Sequence, residues 1–167
     1  MRMERDAALA EYLGGRLATL RRSAYRLCGD WHEAEDLVQV VAVKLYRHWR
    51  RASAVDNLDG YVYRMLVRTW LDERRRPWRR ARSVPDVPEE LAPVEAGEPE
   101  TRLVLARALA ALPARQRAAL VLRFWEDLGV AETAAAIGCS PASVKRYTAL
   151  GTAALRELLP ELRERSS

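Results

Sequence analysis

The sequence predicts an all-α protein: two small helical domains, the second ending in a helix-turn-helix, joined by a flexible acidic linker. Three observations lead there. Apolar residues recur at helical spacing through most of the chain, and no alternating strand pattern of any length interrupts them. Two basic blocks flank an acidic strip: residues 1–82 hold 18 Lys/Arg against 11 Asp/Glu, residues 83–101 hold none against 6, and residues 102–167 hold 10 against 6. Finally, "TAAAIGCSPASVKRY", Thr133–Tyr147, carries the turn chemistry of two helices crossing steeply.

Taken in order, Leu13, Leu17, Leu20, Ala24 and Leu27 mark a first amphipathic helix, with Gly14-Gly15 read as an interruption and Gly29 as its close. Asp30 and Glu33 have the spacing of a capping box opening a second helix, with Leu37, Val38, Val41 and Leu45 inward. The loop "RRASAVDN" follows, then a third helix with Leu58, Tyr61, Val62, Met65 and Leu66 on its apolar side. Residues 83–101 hold four of the eight prolines and no helical period, so they are expected to be an extended tether. Its 19 residues reach at most roughly 60–70 Å, about two turns of duplex at ~34 Å each.

In the C-terminal block, helices are expected over Leu103–Ala111 and Arg115–Glu126. Gly138 suits the left-handed end of the next helix. Ser140 is placed to cap the last one and Pro141 fits its first position, where no N–H is needed. On that last helix Val144, Thr148, Gly151, Leu155 and Leu158 share the inward face. Ala142, Lys145, Arg146 and Ala149 face outward, with Ser143 and Tyr147 at the edge: cations among small residues, a composition that fits a major groove.

Function classes narrow quickly. The net charge is +5, concentrated in the two ends, which suits a polyanionic partner. No apolar run approaches a membrane span and the charged N-terminus "MRMERDAALAEYL" does not resemble a signal peptide, so a cytoplasmic protein is expected. Cys28 and Cys139 stand far apart, without a CxxC or paired histidines, so neither a disulfide framework nor a metal site is indicated. With only His32 and His48, no nucleophile–base pair and no phosphate-cradling glycine loop, no catalytic site and no cofactor are expected.

Two further surfaces stand out. In "AEDLVQVV", Asp36 and Gln39 share one helix face. In "YVYRMLVRTWLDERRRPWRRAR", Arg64 and Arg68 lie one turn apart, Trp70 and Trp78 interleave, and six arginines crowd residues 74–82. Arginines hold phosphates while rings stack on unpaired bases, the composition that single-strand binding needs. Trp49 reads as core instead.

At these residues the chain resembles a known family, the extracytoplasmic-function sigma factors of the sigma-70 family, in their actinobacterial form. "AYRLCGDWHEAEDLVQ" resembles the start of sigma region 2. "LPARQRAALVLRFWEDLGVAETAAAIGCSPASVKRYTALGTAALREL" resembles nearly all of region 4.

The resemblance implies a region 2-like domain at 1–82, a linker at 83–101 and a region 4-like domain at 102–167. It implies that Asp36, Leu37 and Gln39 dock on the RNA polymerase core, made of the beta and beta-prime subunits. The loop Arg51–Asn57 would accept a base flipped from the minus-ten element, helped by Arg64 and Arg68, and the minus-ten contacts as a whole would be Arg51, Asp56, Asn57, Arg64, Arg68, Trp70, Arg74 and Arg75. Ser140, Ala142, Ser143, Lys145, Arg146, Tyr147 and Ala149 would read the minus-thirty-five element. Promoter DNA is thus an implied partner, and an anti-sigma factor is a further possible one. Two departures bear on sequence preference: Arg68-Thr69 stand where the family often has an asparagine, and Arg146-Tyr147 differ from its usual small or arginine residues.

The main alternative is a helix-turn-helix regulator that is not a sigma subunit. It gives no account of "DLVQ" or of the Trp/Arg helix, and it lacks the receiver or ligand domain such regulators usually carry. A pure polymerase-binding protein would not need two basic ends.

Overall fold

The computed structural model describes residues 2–74 and 99–159, and among these every regular element is helical. Helices α1 (Arg2–Cys28), α2 (Trp31–Arg47), α3 (Trp49–Ala52) and α4 (Leu58–Arg74) form an N-terminal block. Helices α5 (Pro99–Ala110) and α6 (Ala114–Leu120), a π-helical turn (Val121–Trp125), α7 (Val130–Ile137) and α8 (Pro141–Leu158) form a C-terminal block. The stretch expected as linker lies outside the described residues except for its last three, where α5 already begins at Pro99. Arg75 and Trp78 also lie outside them.

Local chemistry sets most helix ends. The Asp30 carboxylate accepts from the N–H groups of His32 and Glu33, and Gly29 before it has φ +73°. Ser140 Oγ accepts from Ser143 N at 3.1 Å, with Pro141 as the first residue of α8. Gly138 ends α7 at φ +81° and donates to Ala134 O at 2.8 Å. A Cβ at that φ is strained, so Gly138→Ala is expected to destabilise the protein by about 1–2 kcal/mol. Thermal unfolding followed by circular dichroism measures this.

One expectation fails here. Helix α1 runs unbroken through Gly14-Gly15. Two interior glycines cost about 1 kcal/mol each against alanine. That loss is met by packing on both sides of the pair, where Leu9, Tyr12, Leu13, Leu17 and Leu20 join the core.

The larger finding is the core itself. Leu20, Leu27, Leu37, Leu45, Leu66 and Val67 of the N-terminal block share one apolar cluster with Ala118, Val121, Leu122, Leu128, Ala136 and Ile137 of the C-terminal block. Each fully buried Leu or Val contributes about 1.5–3 kcal/mol, so the two blocks are held on each other rather than merely tethered. A second, smaller cluster of Ala108, Leu109, Leu112, Leu120 and Leu155 belongs to the C-terminal block alone. Leu158, expected inward, is exposed, and Leu159 packs on that cluster in its place.

Arg117 is the polar centre of the seam. It is almost fully buried, and its guanidinium donates to Leu27 O near the end of α1 and to Ala110 O and Leu112 O at the end of α5. It also lies 5.3 Å from the centre of the Trp70 ring. Burial pushes its pKa down to about 10, with the neighbouring Arg74 cation adding to the shift, so it remains charged at neutral pH.

Candidate functional site

Helix α2 holds its inner face through Leu37, Val38, Val41 and Leu45, all buried. That turns Gln39 fully outward and leaves Asp36 half-buried beside it. Leu37 was expected to touch a partner, but at 1% exposure it cannot; it seats the helix that presents Asp36 and Gln39. Sequence reasoning missed what continues their stripe. Val43 and Tyr46 are exposed at 52% and 37%, extending the 3-4-3 spacing from Asp36 along an apolar seam. The signal was present in the outward valine on an otherwise polar helix face; Tyr46 also meets the Arg5 guanidinium of α1, 5.3 Å from its ring centre.

Helix α4 is fixed against α1 by a polar cluster. Tyr12 donates to Asp59 Oδ1 at 2.7 Å, and Arg16 donates to Tyr63 OH at 2.9 Å while pairing with Asp59 at 3.2 Å. Burial, more than their acidic neighbours, raises the pKa of both phenols above the ordinary range, so both stay protonated. On the other side Lys44 Nζ donates to Thr69 Oγ1, which is buried and therefore turned away from any ligand of the outer face.

So held, α4 presents Arg64, Arg68 and Arg74 to the surface. Helix α3 and the turn after it expose Arg51, Asp56 and Asn57, although the Asn57 Oδ1 is committed to Gly60 N at 3.0 Å as a cap for α4. Trp70, expected to stack on a base, does not belong with them. It is 4% exposed, with the guanidinium groups of Arg74 and Arg117 at 5.1 and 5.3 Å from its ring centre. A ring enclosed in this way has no face to offer a base.

From Ala142 to Gly151 the faces of α8 divide as expected, before Leu158 departs from the pattern. Ala142, Lys145, Arg146 and Ala149 are exposed, Ser143 and Tyr147 are half-buried, and Val144 and Gly151 are inside. The Arg146 guanidinium lies 5.8 Å from the Tyr147 ring centre. Ser140 is exposed, but its hydroxyl is occupied by the cap and by Ser143 Oγ. The close seat of this helix depends on Gly151, where a Cβ would meet Leu120 Cδ1 at 2.9 Å. The structure therefore offers two separate basic faces, one on α4 and one on α8, and an acid-amide-apolar stripe on α2. Among the described residues no three His, Cys, Asp or Glu side chains group as metal ligands, and no helix is long and apolar enough to cross a membrane.

Comparison with known proteins matches two segments of the chain to named regions. The family model for sigma-70 region 2 matches residues 16–80, and that for sigma-70 region 4 matches residues 102–155. The RNA polymerase sigma-E factor of Streptomyces avermitilis is 36% identical over 154 residues, covering 89% of this chain and 83% of that protein. The ECF RNA polymerase sigma factor SigL of Mycobacterium tuberculosis is 31% identical over 155 residues, covering 87% and 85%. The sigma factor RpoE, solved with the anti-sigma factor NepR from Bartonella quintana, superposes with a TM-score of 0.74 at 25% identity over 90% of this chain and 95% of that one. CnrH, solved with the cytosolic domain of CnrY, shares the fold with a TM-score of 0.64 at 20% identity, over 93% and 90% of the two chains. The chain belongs to the extracytoplasmic-function sigma factors of the sigma-70 family.

Proposed function

We propose that this sigma factor docks on the RNA polymerase core through the α2 stripe of Asp36 and Gln39. It then directs the enzyme to promoters with two DNA-facing surfaces. Residues 1–82 contact the minus-ten element through Arg51, Asp56, Asn57, Arg64, Arg68, Arg74 and Arg75. Residues 102–167 contact the minus-thirty-five element through Ala142, Ser143, Lys145, Arg146, Tyr147 and Ala149. The observation that carries the reading is the outward face of α8, where two cations stand exposed among alanines on the second helix of a helix-turn-helix. Small neighbours let the helix sit deep, and cations there meet phosphates or guanine edges.

The work divides between the blocks. Duplex binding needs only the α8 face. Holding unpaired bases falls to the turn after α3 and the arginines of α4. With Trp70 in the core, that contact rests on charge and on the exposed turn rather than on stacking by that ring. The reading includes no catalytic step by the chain itself, and it places the protein in the cytoplasm, where polymerase works. By likeness to RpoE, an anti-sigma factor is proposed as its regulator.

Run-off transcription with purified core polymerase on genomic fragments tests the assignment, which fails if the chain yields no specific start sites. Replacing both Lys145 and Arg146 by alanine should weaken duplex binding and flatten the dependence of log K on log salt by up to ~2 units if both touch phosphate. An unchanged slope with altered sequence preference would make them base readers.

A further inference from the structure

The turn that joins α3 to α4, residues 53–57, has short-range backbone bonds of its own. Ser53 N donates to Trp49 O at 2.8 Å, Ala54 N to Arg51 O at 3.2 Å and Val55 N to Ala52 O at 3.3 Å. Val55 and Asp56 stand exposed on it. A turn held in this way presents its side chains no more precisely than its two ends are fixed.

Both ends are fixed from one place on α1. On the entry side the Tyr12 ring packs against Trp49, the buried anchor of α3, with centroids 5.9 Å apart. On the exit side the Tyr12 hydroxyl donates to Asp59 Oδ1 at 2.7 Å, in the first turn of α4. One turn along α1, Arg16 pairs through Nε with the same Asp59 oxygen at 3.2 Å and donates through Nη2 to Tyr63 OH at 2.9 Å. Gly60 completes the exit. A Cβ there would meet Asn57 Nδ2 at 2.7 Å, so the bare glycine lets the Asn57 amide fold back over the start of α4. With Oδ1 given to Gly60 N, the Nδ2 donors of Asn57 are left for a ligand.

These polar contacts are not what seats α1, which Leu9, Leu20, Ala24 and Leu27 already hold in the core. The side chains of Arg16 and Asp59 are 31% and 47% exposed, and ion pairs so exposed add little stability. What the contacts do is join the two sides of the turn.

We propose that Tyr12 is a positioning residue for minus-ten recognition. With Arg16 it sets the distance and angle between the end of α3 and the start of α4, and so the shape in which residues 53–57 receive an unpaired base. The proposal rests on the reading of that turn as part of the minus-ten surface. It adds that base preference there is set from α1, by side chains that touch no DNA.

The test uses holoenzyme assembled from core polymerase and the full chain, on a promoter located by run-off transcription and opened by a mismatched bubble. Each unpaired minus-ten position of the non-template strand carries each of the four bases in turn, and competition binding gives the affinity ratio of best to worst base. The unaltered chain should show at least one position with a ratio of ~10 or more. Tyr12→Phe keeps the ring on Trp49 and removes the bond to Asp59, and it should lower that ratio by at least ~3-fold. Asp59→Ala releases both α1 side chains and should lower it further; it carries the test if Tyr12→Phe does not keep its helical circular dichroism. Neither should alter binding to the closed upstream duplex, which falls to α8. Leu109→Val, which loosens the small C-terminal cluster, should lower the thermal midpoint and leave the ratio as it was.

A Tyr12→Phe chain that keeps the full ratio overturns the positioning role. An equal fall in Leu109→Val overturns it too, since lost stability alone would then account for the effect. If the minus-ten assignment is what fails, the pattern differs: the unaltered holoenzyme shows no base preference at any unpaired position, and the proposal falls with it.

Discussion

Arg117→Ala is expected to cost at least ~3 kcal/mol, because it strips donors from two buried carbonyls and one partly buried one at once, and each orphaned buried acceptor costs about 1–3 kcal/mol. The carbonyls are Leu27 O, Ala110 O and Leu112 O, so the loss falls on the ends of α1 and α5 together. For a chain of this size each kcal/mol lowers the midpoint by about 2–4 °C, so a fall of roughly 6–12 °C or more is the expected reading by circular dichroism. Arg117→Lys keeps the charge, but a single ammonium cannot span the three acceptors, so it should recover only part of the loss. A midpoint unchanged by Arg117→Ala would mean that water replaces the guanidinium without penalty.

Asp36→Arg is expected to abolish co-purification with core polymerase while leaving helical circular dichroism unaltered. Asp36 sits on the outer half of α2, whose seat is secured by the buried Leu37, Val38 and Val41. Reversing the charge therefore alters the face without moving the helix. Losing one partner of a desolvated charged contact costs about 2–5 kcal/mol, a ~30-fold or greater loss of affinity. Val43→Glu should weaken the same capture, since Val43 extends the stripe and is exposed. Retention of full binding by Asp36→Arg in a pull-down with core would remove the α2 stripe as the docking face.

The features legible in the sequence were those whose causes lie within a turn or two of chain. Asp30, Gly29, Gly138 and the Ser140-Pro141 pair announced their helix ends because capping is a local contest for backbone hydrogen bonds. The outward residues of α8 followed from periodicity alone. What failed depended on distant partners. Gly14-Gly15 read as a break because propensity is local, whereas the packing that carries α1 through them comes from α2 and α4. Trp70 read as a ligand-facing ring because it sits among arginines; it is buried partly by Arg117, from the other block. Leu37 shows the same limit in a milder form, since neighbouring residues on a binding helix divide sharply between seat and face. The seam itself left no local mark. Ser23, Arg26, Arg68, Glu126 and Arg117 are individually ordinary, and only their meeting across the chain gives them a role.

The cation–ring contacts across the seam have an optical consequence. Trp70 of the N-terminal block faces the guanidinium of Arg117, and Trp125 of the C-terminal block faces that of Arg26 at 5.3 Å. Each indole is therefore covered by a group that departs when the blocks separate. Parting them hydrates both rings and shifts their emission to the red, whereas Trp31, stacked on Tyr25 at 3.9 Å within the N-terminal block, keeps its surroundings. The chain thus reports its own opening through intrinsic fluorescence, with no label attached.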